Sequence, residues 1–206
     1  MLITEIKRQR GHLVGLYCND ELVLSIDCDL AAELNLKKMQ DYPEDFLREL
    51  LEKSESRRAK SKALYLLEFR DYSSRALEQR LRKDFDEEFA REAVEYMEEI
   101  GAIDDRRYAE ALTRQIIRQK LYGRRRIKQE LVQKGVDRDI ADEVIEDADI
   151  DEQAMILELL ERKFSRDLND QKGITRTIAS LQRYGYNFGD IKSALREYID
   201  DESDFE

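Results

Sequence analysis

A chain of 206 residues that is 41% hydrophobic and 40% charged, with one proline and eight glycines, has the make-up of a set of short amphipathic helices in one or two domains. No apolar run approaches the ~20 residues needed to cross a bilayer, and the N-terminus lacks the continuous apolar segment of a signal peptide, so no membrane role is expected and the cytoplasm is the expected compartment. Cys18 and Cys28 are the only cysteines and His12 the only histidine, too few for a four-ligand zinc site or for histidine-based triad chemistry. The two thiols read as small, half-buried side chains rather than a disulfide, and no metal or cofactor is called for.

The net charge of −11 at first argues against a nucleic-acid partner. Its distribution argues otherwise. Between residues 114 and 135 the cations Arg114, Arg118, Lys120, Arg124, Arg125, Arg126, Lys128 and Lys134 are opposed only by Glu130, whereas residues 137–161 are strongly acidic and opposed only by Arg138.

In chain order, residues 2–8, 13–18 and 21–27 are short segments rich in Ile, Val, Leu and Tyr, separated by Arg10-Gly11 and Asn19-Asp20. They predict a small three-stranded antiparallel β meander, with His12 in a turn. A short helix capped by Asp29 follows over 29–34, which completes an N-terminal region 1–42. Pro43 suits the first turn of the next helix, whose connecting part is 43–56. The stretch 44–69 holds no Gly or Pro and reads equally as one long helix or as two joined near Ser54.

From there the chain repeats its punctuation. Tyr72-Ser73, Tyr122-Gly123 and Lys172-Gly173 fall fifty residues apart, each ending one helix and starting another. The apolar pairs Leu77/Leu81 and Ile127/Leu131 keep the register, with Ile178/Leu181 a looser third copy. Asp86, Asp137 and Asn187 then stand at N-cap positions. A period near 50 residues signals a copied supersecondary unit. The fold expected is mainly α: three tandem three-helix repeats (57–101, 102–149 and 150–200) in an elongated curved array after the meander, with an acidic tail over 201–206.

Residues 124–133 form a basic helix with Ile127 and Leu131 on its buried side and Gly135 as its stop. Arg125, Arg126 and Gln129 point away from that side, and Arg124 lies near its edge. Three arginines at a helix N-terminus oppose the helix dipole, so this face is either a binding surface or a solvated face with Arg124 reaching over the core. Arg114 and Arg118 lie one turn apart, opposite an apolar set of Tyr108, Ala111 and Leu112. Tyr122 and Tyr72 occupy equivalent loop positions, suited to stacking on bases or to closing the contact between consecutive helices. A second cluster, Arg57, Arg58, Lys60 and Lys62, either extends the binding face or pairs with Glu52 and Glu55. Asp104-Asp105 is better explained as a helix cap than as a metal site.

The stretches ALYLLEFRDYS over 63–73, GAIDDRRYA over 101–109, and YGRRRIKQEL over 122–131 with Lys134-Gly135-Val136 resemble the RecX regulatory proteins of bacteria. The likeness spans about residues 57–146, and the third repeat departs most, since Lys172 and Arg176 give it fewer cations. The resemblance implies a non-enzymatic modulator that binds along the groove of the RecA filament on single-stranded DNA. It would suppress ATP hydrolysis, strand exchange and coprotease activity. The expected partners are RecA and, directly, single-stranded DNA, with the modulator a monomer. Candidate contacts are Arg114, Arg118, Tyr122, Arg124, Arg125, Arg126, Lys128 and Lys134. Two other classes compete: a direct nucleic-acid-binding module with no RecA target, and a metal-dependent nuclease built on the acidic clusters, which lack a convergent pattern.

Overall fold

The structure, a computed structural model, describes residues 1–203. It is mainly helical with a small N-terminal three-stranded antiparallel sheet, and it divides into two compact units, Met1–Ile103 and Asp104–Glu206.

In the first unit, β2 (Glu5–Arg8), β3 (Leu13–Cys18) and β4 (Glu21–Asp27) form the meander in sequence order, with Ile6 opposite Leu16 and Leu16 opposite Leu24. The first apolar segment is two strands rather than one. β1 (Leu2–Ile3) leaves the meander before Thr4 and pairs with β5 (Gln40–Asp41), a pairing between distant segments that local alternation does not carry. Asn19 and Asp20 both take positive φ, which suits a tight two-residue hairpin turn. His12 sits in the other turn at φ 62°, its imidazole 3.1 Å from Asp29. Helix α1 (Cys28–Glu33) is capped by Asp27, not Asp29: the Asp27 carboxylate accepts from the N–H groups of Asp29 and Leu30, so the cap belongs to the last residue of β4. Cys18 and Cys28 are free and half-buried.

The chain from Glu44 to Leu67 is a single 24-residue helix, α2. Its first half buries Leu47 and Leu50 with Ile3, Leu16, Ile26 and Leu30 beneath the sheet. There the buried Ser54 hydroxyl accepts the Asp27 N–H at 2.7 Å. Its second half buries Ala59 and Ala63 against α3 (Ser74–Leu81) and α4 (Glu87–Glu99), with Leu77, Leu81, Ala93 and Met97 fully buried. One helix therefore serves both cores of this unit.

The second unit holds α5 (Asp105–Lys120), α6 (Arg124–Gln133) and α7 (Arg138–Asp147), followed by α8 (Glu152–Leu159), α9 (Gln171–Tyr184) and α10 (Phe188–Ser203). All six feed one core around Ile127, Leu131, Ile156, Leu159, Leu181 and Ile191. The buried stripe of α5 is Ala109, Thr113 and Ile116, while Ala111 is exposed; the polar Thr113 conceals that phase in the sequence. The third copy of the apolar pair is Thr177/Leu181, in strict fifty-residue register with Leu77/Leu81 and Ile127/Leu131, rather than Ile178/Leu181.

Gly173 does not start a helix. It lies inside α9, which begins two residues earlier at Gln171 under an Asp170 cap, and a Cβ there would stand 1.7 Å from the Asp167 carbonyl oxygen. Between α8 and α9 the chain runs through a π-helical turn over Leu160–Phe164 and a 3-10 turn over Ser165–Asp167. α10 carries the chain into the acidic tail as far as Ser203; the remainder of the tail, 204–206, lies outside the described residues.

Candidate functional site

Helix α6 starts badly by local rules. Its cap residue is Gly123, which has no side chain to accept an N–H, and three arginines crowd its positive end. The missing acid comes from elsewhere: the Glu152 carboxylate on α8 accepts the Arg124 N–H at 2.7 Å. The Arg124 side chain turns inward and donates to the carbonyls of Ile145, at 2.6 Å, and Ile150, at 3.3 Å. It thus satisfies the Ile145 carbonyl at the negative end of α7, where a cation is favoured, and the Ile150 carbonyl in the link to α8. Arg124 is thereby bound into the fold through both its backbone and its side chain.

The first turn of α6 is also locked to the last turn of α9. Gly123 N–H donates to the Tyr184 carbonyl at 3.0 Å, Arg125 donates to the Gln182 carbonyl at 2.6 Å, and the buried Tyr186 hydroxyl donates to the Leu121 carbonyl at 2.7 Å. Gly185 ends α9 at φ 102°, a left-handed conformation that costs glycine little. A Cβ at this position would lie 2.5 Å from the Arg126 Cβ and 2.6 Å from its backbone nitrogen. The two helices approach this closely only because residue 185 has no side chain.

Beside this contact opens a cleft of about 670 Å³. Tyr122, Arg125, Arg126 and Gln129 line it from the second repeat, and Ala179, Gln182, Arg183 and Tyr184 from the third. The rings of Tyr122 and Tyr184 meet edge to face at 5.4 Å. Lys120 and Arg126 lie 5.3 and 5.5 Å from the centre of the Tyr122 ring, and Lys163 lies 5.3 Å from that of Tyr184 while donating to its hydroxyl at 3.1 Å.

The electrostatics are one-sided. Glu130 pairs at 3.0 Å with both Lys120 and Arg126, and the hydrogen bond from Lys120 holds its carboxyl below the usual carboxylate range. Arg125, Lys163 and Arg183 have no carboxylate partner among the described residues. Arg125, Arg126 and Arg183 thus line the cleft, Lys120 and Lys163 stand against its two rings, and Glu130 is the carboxylate paired among them, with that of Glu152 nearby at the start of α6.

The cleft brings together Tyr122, Arg125 and Arg126 from the sequence candidates. The others lie off it. Arg114 is exposed and 3.9 Å from Glu110, Arg118 is exposed, Lys128 pairs with Asp142 on α7, and Lys134 is exposed at the end of α6. In the first unit the second basic cluster is largely neutralised. Arg57 pairs with Glu33 at 2.8 Å and Arg58 with Glu55, while Lys60 pairs with Glu92 at 2.7 Å, a hydrogen bond that lowers the Glu92 pKa. Lys62 rests over the Tyr65 ring at 5.1 Å. Asp104 accepts the Arg107 N–H at 2.9 Å and so caps α5.

Lys163, Gln182, Arg183 and Tyr184 escaped sequence reasoning, which looked for the third repeat's cations near Lys172. The available signal was Gly185, fifty residues after Gly135: it marks the same helix end and places Arg183-Tyr184 beside it.

Two family descriptions match the chain: RecX, first three-helix domain, over residues 59–97, and RecX, second three-helix domain, over 104–145. A regulatory protein RecX of Halorhodospira halophila is 33% identical over 142 residues, covering 68% of this chain and 88% of that protein. That of Clostridioides difficile is 28% identical over 205 residues, covering 96% of each. Among solved structures, a crystal structure of a regulatory protein RecX superposes with a TM-score of 0.68 at 20% identity, over 93% of this chain and 98% of the other. RecX from Lactobacillus salivarius gives 0.64 at 24%, over 70% and 96%.

Proposed function

The chain belongs to the RecX family of regulatory proteins, and on that footing we propose that it regulates the RecA recombinase by binding, without catalysis, to the filament that RecA forms on single-stranded DNA. The observation that carries this reading is the cleft between α6 and α9, lined by Arg125, Arg126 and Arg183 with Lys120 and Lys163 against its rings, in a molecule whose net charge is −11. Positive charge concentrated in one concave place on an acidic protein is suited to a polyanionic target, and the acidic remainder repels non-specific partners. A bound regulator that spans neighbouring positions on a filament gains affinity from each added contact. This supports suppression of RecA ATP hydrolysis, strand exchange and coprotease activity at low ratios of regulator to recombinase.

The test is RecA ATP hydrolysis on single-stranded DNA, with RecA from the same source and this protein titrated well below one molecule per RecA. Inhibition at such ratios is expected. No inhibition even in excess, with the protein folded, refutes the RecA reading and leaves a direct nucleic-acid-binding module.

A further inference from the structure

We propose that the cleft between α6 and α9 holds single-stranded DNA itself, with backbone phosphates at Arg126 and Arg183 and a base against the Tyr122–Tyr184 pair. The inference deepens the regulatory reading of this same site and makes the third repeat half of it.

Charge alone would accept any anion, an acidic face of a protein included. The rest of the wall is more selective. Tyr122 and Tyr184 present aromatic surface in the same cleft as the guanidinium groups, and Gln129 and Gln182 add amides able to meet base edges. Rings interleaved with cations match a single strand, which alternates unstacked bases with phosphates; a duplex offers no base faces to them. The cations also differ in freedom. Arg125 is held by the Gln182 carbonyl, whereas Arg183 is exposed and, among the described residues, bonded to Ser180 alone, 2.9 Å away on its own helix. Arg183 therefore reaches a phosphate without breaking the contact between the repeats.

The comparison with the first unit points the same way. There the equivalent helix α3 also carries arginines, but Arg80 pairs with Asp84 at 3.1 Å and Arg82 with Glu87 at 2.8 Å. At the junction of the second and third repeats Arg125 and Arg183 have no such carboxylate among the described residues, their bonds going to the Gln182 carbonyl and the Ser180 hydroxyl.

Fluorescence anisotropy of a labelled oligothymidylate with the full chain, in the absence of RecA, tests this. Arg183→Ala should weaken binding and reduce the salt slope by about 0.7, the share of one phosphate contact on single-stranded DNA. Tyr184→Leu should weaken it on the order of tenfold, while Tyr184→Phe, which keeps the ring, should bind nearly as wild type. Unchanged helical circular dichroism in Arg183→Ala ties its loss to contact rather than to folding, since the side chain is exposed. Unaltered affinity and slope in Arg183→Ala would overturn the proposal, as would equal losses from the Phe and Leu variants. Displacement of the oligonucleotide by free thymidine monophosphate at the same nucleotide concentration would make the cleft a mononucleotide pocket and overturn the strand. If Arg183→Ala loses RecA inhibition but binds the oligonucleotide as wild type, the cleft meets RecA protein instead; the DNA inference then fails while the regulatory reading stands.

Discussion

Tyr186→Phe removes one oxygen from the contact between the second and third repeats and leaves the ring in place. The side chain is 1% exposed and its hydroxyl donates at 2.7 Å to the carbonyl of Leu121, a residue in the left-handed conformation at the end of α5. The variant leaves that buried acceptor without its partner, which costs about 1–3 kcal/mol. Because a phenylalanine ring fills the same space, no cavity contribution is added. For a unit of about this size the melting temperature should fall by roughly 4–8 °C per kcal/mol. Denaturant unfolding should show a lower midpoint with an unchanged slope.

The pH dependence sharpens the same test. Burial pushes the Tyr186 hydroxyl well above its ordinary value, because the phenolate is penalised inside. Below the ordinary tyrosine pKa the group is protonated in both states, and its contribution is complete. Above it the unfolded chain releases the proton while the folded chain keeps it, so stability falls as pH rises, by about 1.4 kcal/mol per unit for one proton. The phenylalanine variant lacks this decline, so the wild-type advantage should shrink as pH rises past the ordinary tyrosine value. A variant as stable as wild type at neutral pH, or an advantage that stays constant into alkali, would refute the reasoning.

Glu130→Gln should act in opposite directions on two measurements. Lys120 and Arg126 lose the carboxylate that pairs them beside the cleft, so oligothymidylate binding should tighten, while neutral-pH stability should fall with the loss of those pairs. The Glu130 pKa is lowered on folding, so its stabilisation is present above the ordinary carboxylate value and is lost as pH falls through the folded one; acid titrations of unfolding should show the two proteins converging there. Gly185→Ala puts a methyl group 2.5 Å from the Arg126 Cβ at a backbone φ of 102°. It should destabilise the second unit by more than about 1 kcal/mol and weaken oligonucleotide binding as well; thermal melts and anisotropy check both.

Much of this fold is legible locally. The N-cap residues Asp86, Asp137 and Asn187 and the pairs Leu77/Leu81 and Ile127/Leu131 each advertise a helix within a few residues, and the copying makes the signal additive. What sequence reasoning missed depends on partners far along the chain or on polar side chains in apolar places. Ile3 finds Gln40 across a gap that no alternation spans, and Thr177 occupies a leucine's position while reading as a surface residue. The 160–167 stretch breaks its helix without Gly or Pro, and the nearest glycine, Gly173, serves a close approach to Asp167. The basic helix itself was plain from three consecutive arginines. Its opposite wall was not, since Arg183 and Tyr184 flank a helix end rather than a helix start.

The clasp and the cleft are one construction. A basic N-terminus is a poor helix start, and α6 has no acid in its first turn and no capping side chain, so its first free N–H sets a requirement that another element meets. Glu152 supplies the carboxylate, the carbonyls at the end of α7 take up Arg124, and the carbonyl of Gln182 takes up Arg125. Each of these partners fixes one of the three arginines or the backbone that carries them. Arg126 is shared with Glu130, and its ring neighbour Tyr122 is set against Tyr184. The third repeat therefore does more than add cations to those of the second. With the end of α7 and Glu130 it supplies the partners that let three adjacent arginines stand at a helix start, and several of those partners are neutral carbonyls, which satisfy hydrogen bonds without cancelling charge.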